Sequence, residues 1–124
     1  MKQVLLDTNF IMTCAKQKID FFEQIPLMGL EILVPEQVIH ELKILSKSKD
    51  SAYIREDADL ALKLLNRNKF TSIKLRRNND VDKGIIELAG ENKDLIIATL
   101  DKELKSQIKN QKMVIKGTKT IGLI

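Results

Sequence analysis

Apolar residues along this chain fall in two kinds of segment. Short apolar runs occupy 4–6, 31–34, 71–75, 95–99 and 113–116, several of them rich in Val and Ile. Runs of this length without polar alternation predict strands covered on both faces. Between them lie segments with helical periodicity, around 10–28, 36–48, 52–68, 81–91 and 102–110. Strand–helix alternation predicts an α/β fold with a parallel sheet, right-handed crossovers and helices on both faces. Pro35 is expected at a first helical position, where its missing N–H costs nothing. Asp80 is expected to cap the helix that follows it. No repeat, low-complexity tract or Pro/Gly-rich linker divides the chain, so 1–124 reads as one domain.

Composition narrows the chemistry. With 124 residues and 44% apolar content, the chain can build one real core but not two. Four Phe, one Tyr and no Trp leave that core to Ile, Leu and Val. The single cysteine, Cys14, excludes an intrachain disulfide and a cysteine-rich zinc site; it points to a reducing, cytoplasmic compartment and reads as a small core residue. The single histidine, His40, excludes a two-histidine acid/base pair and falls on the solvated face of its helix. No run of eighteen apolar residues exists to span a membrane, and the Met-Lys-Gln start is not that of a signal peptide. The net charge of +4 favours polyanions, nucleic acid first.

The informative residues are acids in costly places. Asp7 ends the first strand and Asp101 follows the fourth, both at carboxyl ends, where ligands bind in open α/β sheets. Asp82 shares a helical stripe with Ile85, Ile86 and Ala89, at the spacing i, i+3, i+4, i+7. Glu41 sits at the edge of the Val38, Leu42, Leu45 stripe, roughly 40° from Leu45 at ~100° per residue. Each has a bland reading: Asp7 and Asp101 as helix caps, Asp82 as a first-turn acid, Glu41 as a solvated boundary residue. The set is what argues for a site, because four independent acids are expected to point at one end of one sheet. Clustered carboxylates repel, and a divalent cation relieves that repulsion. All-oxygen ligands favour Mg²⁺ or Mn²⁺ over zinc, and such ions hydrolyse phosphodiesters.

With these residues in place, the chain resembles the PIN-domain nucleases over essentially its whole length. The resemblance is carried by Val4-Leu5-Leu6-Asp7-Thr8-Asn9-Phe10 and Val34-Pro35-Glu36-Gln37-Val38-Ile39-His40-Glu41-Leu42, then by Val81-Asp82-Lys83-Gly84-Ile85-Ile86-Glu87-Leu88-Ala89 and Ile97-Ala98-Thr99-Leu100-Asp101-Lys102-Glu103-Leu104. It implies a three-layer α/β/α fold with a five-stranded parallel sheet of order 3-2-1-4-5. It implies that Asp7, Glu41, Asp82 and Asp101 bind Mg²⁺ or Mn²⁺ and position the attacking water, with Thr8, Asn9 and Thr99 as polar support. The implied reaction is endonucleolytic cleavage of single-stranded RNA, leaving a 5′-phosphate. The first and last motifs look most like archaeal relatives of small-subunit rRNA-processing nucleases, which points to an rRNA precursor. VapC-type toxins share the fold and length and would imply an antitoxin partner; PIN proteins often form homodimers. A catalytically weak RNA-binding assembly factor is a third reading. Lys83 stands where the processing group often has a second acid, and Val114-Ile115-Lys116-Gly117 where it tends to carry an aromatic and an Arg. A haloacid-dehalogenase-type phosphatase would need an Asp at position 9, where this chain has Asn9.

Cations are expected to carry RNA towards an otherwise repellent cleft. Lys102, Lys105 and Lys109 are candidates, Lys102 foremost because it follows Asp101, with Lys74, Arg76 and Arg77 as a second group at the end of the third strand. Few aromatics argue for electrostatic binding with little sequence preference.

Overall fold

A computed structural model describes residues 2–77 and 79–124. In chain order its elements are β1 (Gln3–Leu6), α1 (Thr8–Gln17), α2 (Phe21–Leu27), β2 (Glu31–Pro35), α3 (Glu36–Leu45), α4 (Ala52–Arg67), β3 (Thr71–Ile73), α5 (Val81–Glu91), β4 (Ile96–Ala98), α6 (Lys102–Ser106), β5 (Lys112–Lys116) and β6 (Thr120–Leu123). The sheet order is β3-β2-β1-β4-β5-β6. Its first five strands are parallel, in the order expected, and β6 adds an antiparallel edge.

The apolar runs become strands because both sheet faces are covered. Val4, Leu6, Ile32, Val34, Ile96 and Ala98 meet Phe10, Ile11, Val38, Leu42, Ala58 and Ala61 from α1, α3 and α4, with Phe21 and Ile25 of α2 in the same layer. Leu5, Leu33 and Ile97 point the other way, onto Ile85, Ala89 and Leu104 of α5 and α6. The alternation of 4 and 6 against 5 is the period of two that a strand imposes. The result is three layers. Cys14 lies fully inside the larger one.

Three local expectations differ from the structure. The helix expected over 10–28 is two helices. Lys18 turns into the left-handed region at φ 57°, its N–H and that of Ile19 return to the carbonyls of Ala15 and Cys14, and Asp20 then caps α2 through the N–H of Glu23. Asp20-Phe21-Phe22-Glu23 has capping-box spacing, which the apolar periodicity on either side overrides. Pro35 is not the first helical residue: it ends β2, at ψ 141°, and α3 starts at Glu36. Thirdly, β6 follows a turn at Gly117, whose φ of 66° suits glycine. Asp80 caps α5, accepting from the N–H of Lys83. Among the described residues no helix is long and apolar enough to cross a membrane.

Candidate active site

Strand order reverses at β1: β2 pairs with it on one side and β4 on the other. The segments leaving the carboxyl ends of β1 and β4 therefore diverge and open a crevice between them. Asp7, Thr8, Asn9, Glu41, Asn79, Asp80, Val81, Asp82 and Asp101 line a cleft there of about 390 Å³. All four acids singled out in the sequence are in it, delivered by the end of β1, the middle of α3, the first turn of α5 and the cap of α6.

Asp7 is held hardest. Its N–H donates to the Ala98 carbonyl at 2.9 Å, which extends the β1–β4 pairing by one residue. Its Oδ1 accepts from the Thr8 N–H at 2.8 Å and its Oδ2 from the Thr99 hydroxyl at 2.8 Å. Thr99 Oγ1 in turn accepts from the Asp101 N–H at 3.2 Å, and Asn9 Oδ1 accepts from the Leu100 N–H at 3.1 Å. Asn9 and Thr99 thus tie the two strand ends together. Thr8 lies beside them, buried, with the hydroxyl oxygen lacking a hydrogen-bond partner among the described residues.

Asp101 reconciles two readings of the sequence, because it caps and lines the cleft at once. Its Oδ1 takes the N–H groups of Glu103 and Leu104, and its other oxygen has no hydrogen bond among the described residues. Asp7 likewise caps α1. Glu41 and Asp82 carry no hydrogen bond or ion pair among the described residues. Asp82 is exposed, not buried in the stripe it shares with Ile85 and Ala89, and stands on the first turn of α5.

Burial pushes the Asp7 carboxyl up to about 6, against the pull of Thr99 and Thr8, with the charges of Asp82 and Glu41 adding to the rise. Asp82 is raised as well, by desolvation and by the charges of Asp101, Asp80 and Glu103. The electrostatic neighbours of Asp7 are therefore Asp82 and Glu41, and Asp101 acts on Asp82. Asp80, Glu103 and Asn79 also belong to this environment and were not named as site residues from the sequence, where Asp80 was read only as a helix cap. Asp80 and Glu103 read as ordinary helix-start acids, and Asn79 as part of a polar loop.

The donor set fits a hydrated divalent cation. Among the described residues no three His, Cys, Asp or Glu side chains form a ready-made cage for an ion. Magnesium does not require one, since it keeps several waters and takes one or two carboxylates. Carboxylate oxygens without protein donors, raised acids and the orphaned Thr8 hydroxyl suit such an ion and its waters.

The cations fare differently. Lys102 is exposed at the start of α6, next to Asp101, and Lys105 is half-buried one turn on. Lys109 lies beyond α6, beside Ile86, Gly90 and Lys93, at the opposite edge of the sheet from the acids. Arg76 and Arg77 also leave the cleft: Gly84 lets their loop pack close, with room for a Cβ only 3.1 Å from Leu75 Cβ, and it runs down α5. Arg76 pairs with Glu91 at 2.7 Å and Arg77 with Glu87 at 2.6 Å. Glu91 is nine residues beyond Asp82, about 13 Å along the helix axis. Lys109, Arg76 and Arg77 thus stand away from the cleft that holds the acids.

Comparison with known proteins fits this architecture. A family model described as a PIN like domain matches residues 4–118. Ribonuclease VapC4 of Methanocaldococcus jannaschii is 33% identical over 112 residues, covering 87% of this chain and 83% of that protein. Among solved structures, the PIN domain endonuclease Utp24 superposes with a TM-score of 0.76 at 27% identity, covering 98% of this chain and 90% of that one. A domain of a functionally unknown protein from Methanocaldococcus jannaschii shares the fold at a TM-score of 0.58 and 16% identity, over 97% and 95% of the two chains.

Proposed function

The chain belongs to the PIN-like domain family, and on that footing we propose that it is a metal-dependent endoribonuclease acting on single-stranded RNA. The observation that carries this reading is that carboxylates from four separate segments share one cleft at the switch point of the sheet. Asp7, Glu41, Asp82 and Asp101 would hold Mg²⁺ or Mn²⁺. When bound, such an ion lowers the pKa of a water molecule and offsets charge on the scissile phosphate.

The chain's own groups prepare that chemistry. Thr99 and the Thr8 amide fix both oxygens of Asp7, so the most buried acid is preoriented. The α6 amides hold one oxygen of Asp101 and leave the other for the cleft. Asn9 secures the segment between Thr99 and Asp101 by accepting from Leu100. The acids also repel phosphate, which makes RNA binding depend on the cation and on flanking positive charge.

The motifs at Asp7-Thr8-Asn9-Phe10 and Thr99-Leu100-Asp101 favour an rRNA precursor as substrate. The 33% identity to a VapC ribonuclease supports a second reading, a toxin held by an antitoxin. The enzymatic claim is tested by incubating the purified protein with 3′-labelled single-stranded RNA in Mg²⁺, Mn²⁺ or EDTA. Internal cleavage with either ion, 5′-phosphate ends on the downstream fragments and silence in EDTA are expected. RNA binding without cleavage in either metal would favour an assembly factor instead.

A further inference from the structure

A second groove of about 530 Å³ adjoins the acid cleft and shares Glu41, Asn79 and Val81 with it. Its volume is within the ~300–1,000 Å³ of sites that hold ligands of nucleotide size. The remaining wall comes from α3 and from the segment after β3, and includes His40, Ile44 and Lys74. Two features show that this wall is built. Gln37 grips the chain on both sides of Leu75, donating to its carbonyl at 3.0 Å and accepting from its N–H at 3.2 Å, which fixes the segment next to Lys74 against α3. And of the three cations at 74–77, two are neutralised by acids of α5, whereas Lys74 has no acidic partner among the described residues and faces the groove.

We propose that this groove seats the RNA strand adjacent to the scissile phosphate on the Glu41 side, with Lys74 on a phosphate and the His40 ring against a base. The proposal rests on the ribonuclease reading and adds the path of the substrate. Both groups have the chemistry for it: an ammonium for the backbone, and an aromatic face for an unstacked base. Ile44, 58% exposed, supplies apolar surface one turn beyond His40. Glu36 lines the same groove at the start of α3, so phosphate is assigned to the Lys74 wall and the base to the α3 wall. His40, read from the sequence as merely solvated, thereby gains a role as a positioning residue.

The test is anisotropy of a fluorescein-labelled oligouridylate across a salt series, with Ca²⁺ as the cation, alongside KM and kcat for cleavage in Mg²⁺. Lys74→Ala should weaken binding roughly fivefold and flatten the salt slope by about 0.7, the value for one phosphate contact on a single strand. His40→Ala should weaken binding roughly fivefold or more without changing the slope. Both should raise KM and spare kcat. Arg76→Ala and Lys109→Ala should bind as the wild type does. If either Lys74→Ala or His40→Ala binds normally, or if Arg76→Ala or Lys109→Ala weakens binding as much, the proposed path is wrong while the ribonuclease reading stands. If the wild type binds but never cleaves, that reading falls and the binding series alone decides the groove; if it binds no RNA, both fall.

Discussion

Replacing Asp7 by Asn should make the metal-free protein more stable. The folded environment raises this carboxyl from 3.8 to about 6, and burial is the main cause. A shift of about two units at ~1.4 kcal/mol each makes the ionised form cost about 3 kcal/mol in the folded state. The penalty is absent well below the unfolded-state pKa. It grows from about pH 4 to about pH 6 and is complete above that, where both states are ionised. Asparagine keeps the shape and can keep the hydrogen bonds. Its oxygen would accept from Thr8, and its amide would donate to Thr99. The Thr99 hydroxyl would then turn to Asn9 Oδ1, 3.4 Å away in the present structure. In EDTA at pH 8, Asp7→Asn should therefore melt on the order of 10 °C above wild type. The gain should shrink to almost nothing near pH 4. Mg²⁺ should raise the melting temperature of the wild type more than that of the variant, because the cation offsets the cost of the buried charge that the variant lacks. Thermal unfolding followed by circular dichroism from pH 4 to 8 measures all of this. A variant less stable than wild type at pH 8, or a gain independent of pH, would refute the reasoning and reduce Asp7 to a helix cap.

Thr99→Val should remove the hydroxyl that offsets the burial of Asp7, raising its pKa further and moving the acid limb of the pH–rate profile upward; an unmoved limb would break the link. Asn110→Ala should cost a few kcal/mol, because one buried amide serves the carbonyls of Ala89, Asn92 and Leu95 and joins the end of α5 to the start of β4; urea melts with the midpoint unchanged would contradict that. Lys18→Gly should stabilise by about 1 kcal/mol, since glycine takes the left-handed conformation at the end of α1 without a Cβ penalty; a loss would show that the lysine side chain contributes there.

Much of the fold was legible because a sheet covered on both faces writes uninterrupted apolar runs, and 4–6, 32–34 and 95–98 are such runs. Edges were less legible. The last strand, Thr120–Leu123, is half solvated and pairs antiparallel, so it lacks that signature. The break between α1 and α2 was hidden because Phe10, Cys14, Phe21 and Ile25 all feed one core, and the apolar pattern carries across the kink at Lys18. At the site, the strand-end acids announced themselves as charges attached to buried runs. Asp82 was found by its stripe, although it escapes burial by standing on the first turn of α5. Asn79 and the cation partners were not legible, since loop placement and long-range pairs such as Arg76 with Glu91 depend on packing that no local pattern records.

The proposed activity is cleavage of RNA by one cleft of acids with the help of a divalent cation. It is tested most directly by single-turnover cleavage of single-stranded RNA in Mn²⁺ by the wild type and by Asp7→Asn, Glu41→Gln, Asp82→Asn and Asp101→Asn. Folding should be verified for each by circular dichroism. Cleavage by the wild type and a loss of roughly a hundredfold or more in every folded variant are expected. Cleavage at the wild-type rate by Asp7→Asn, or by the wild type in EDTA, would contradict it.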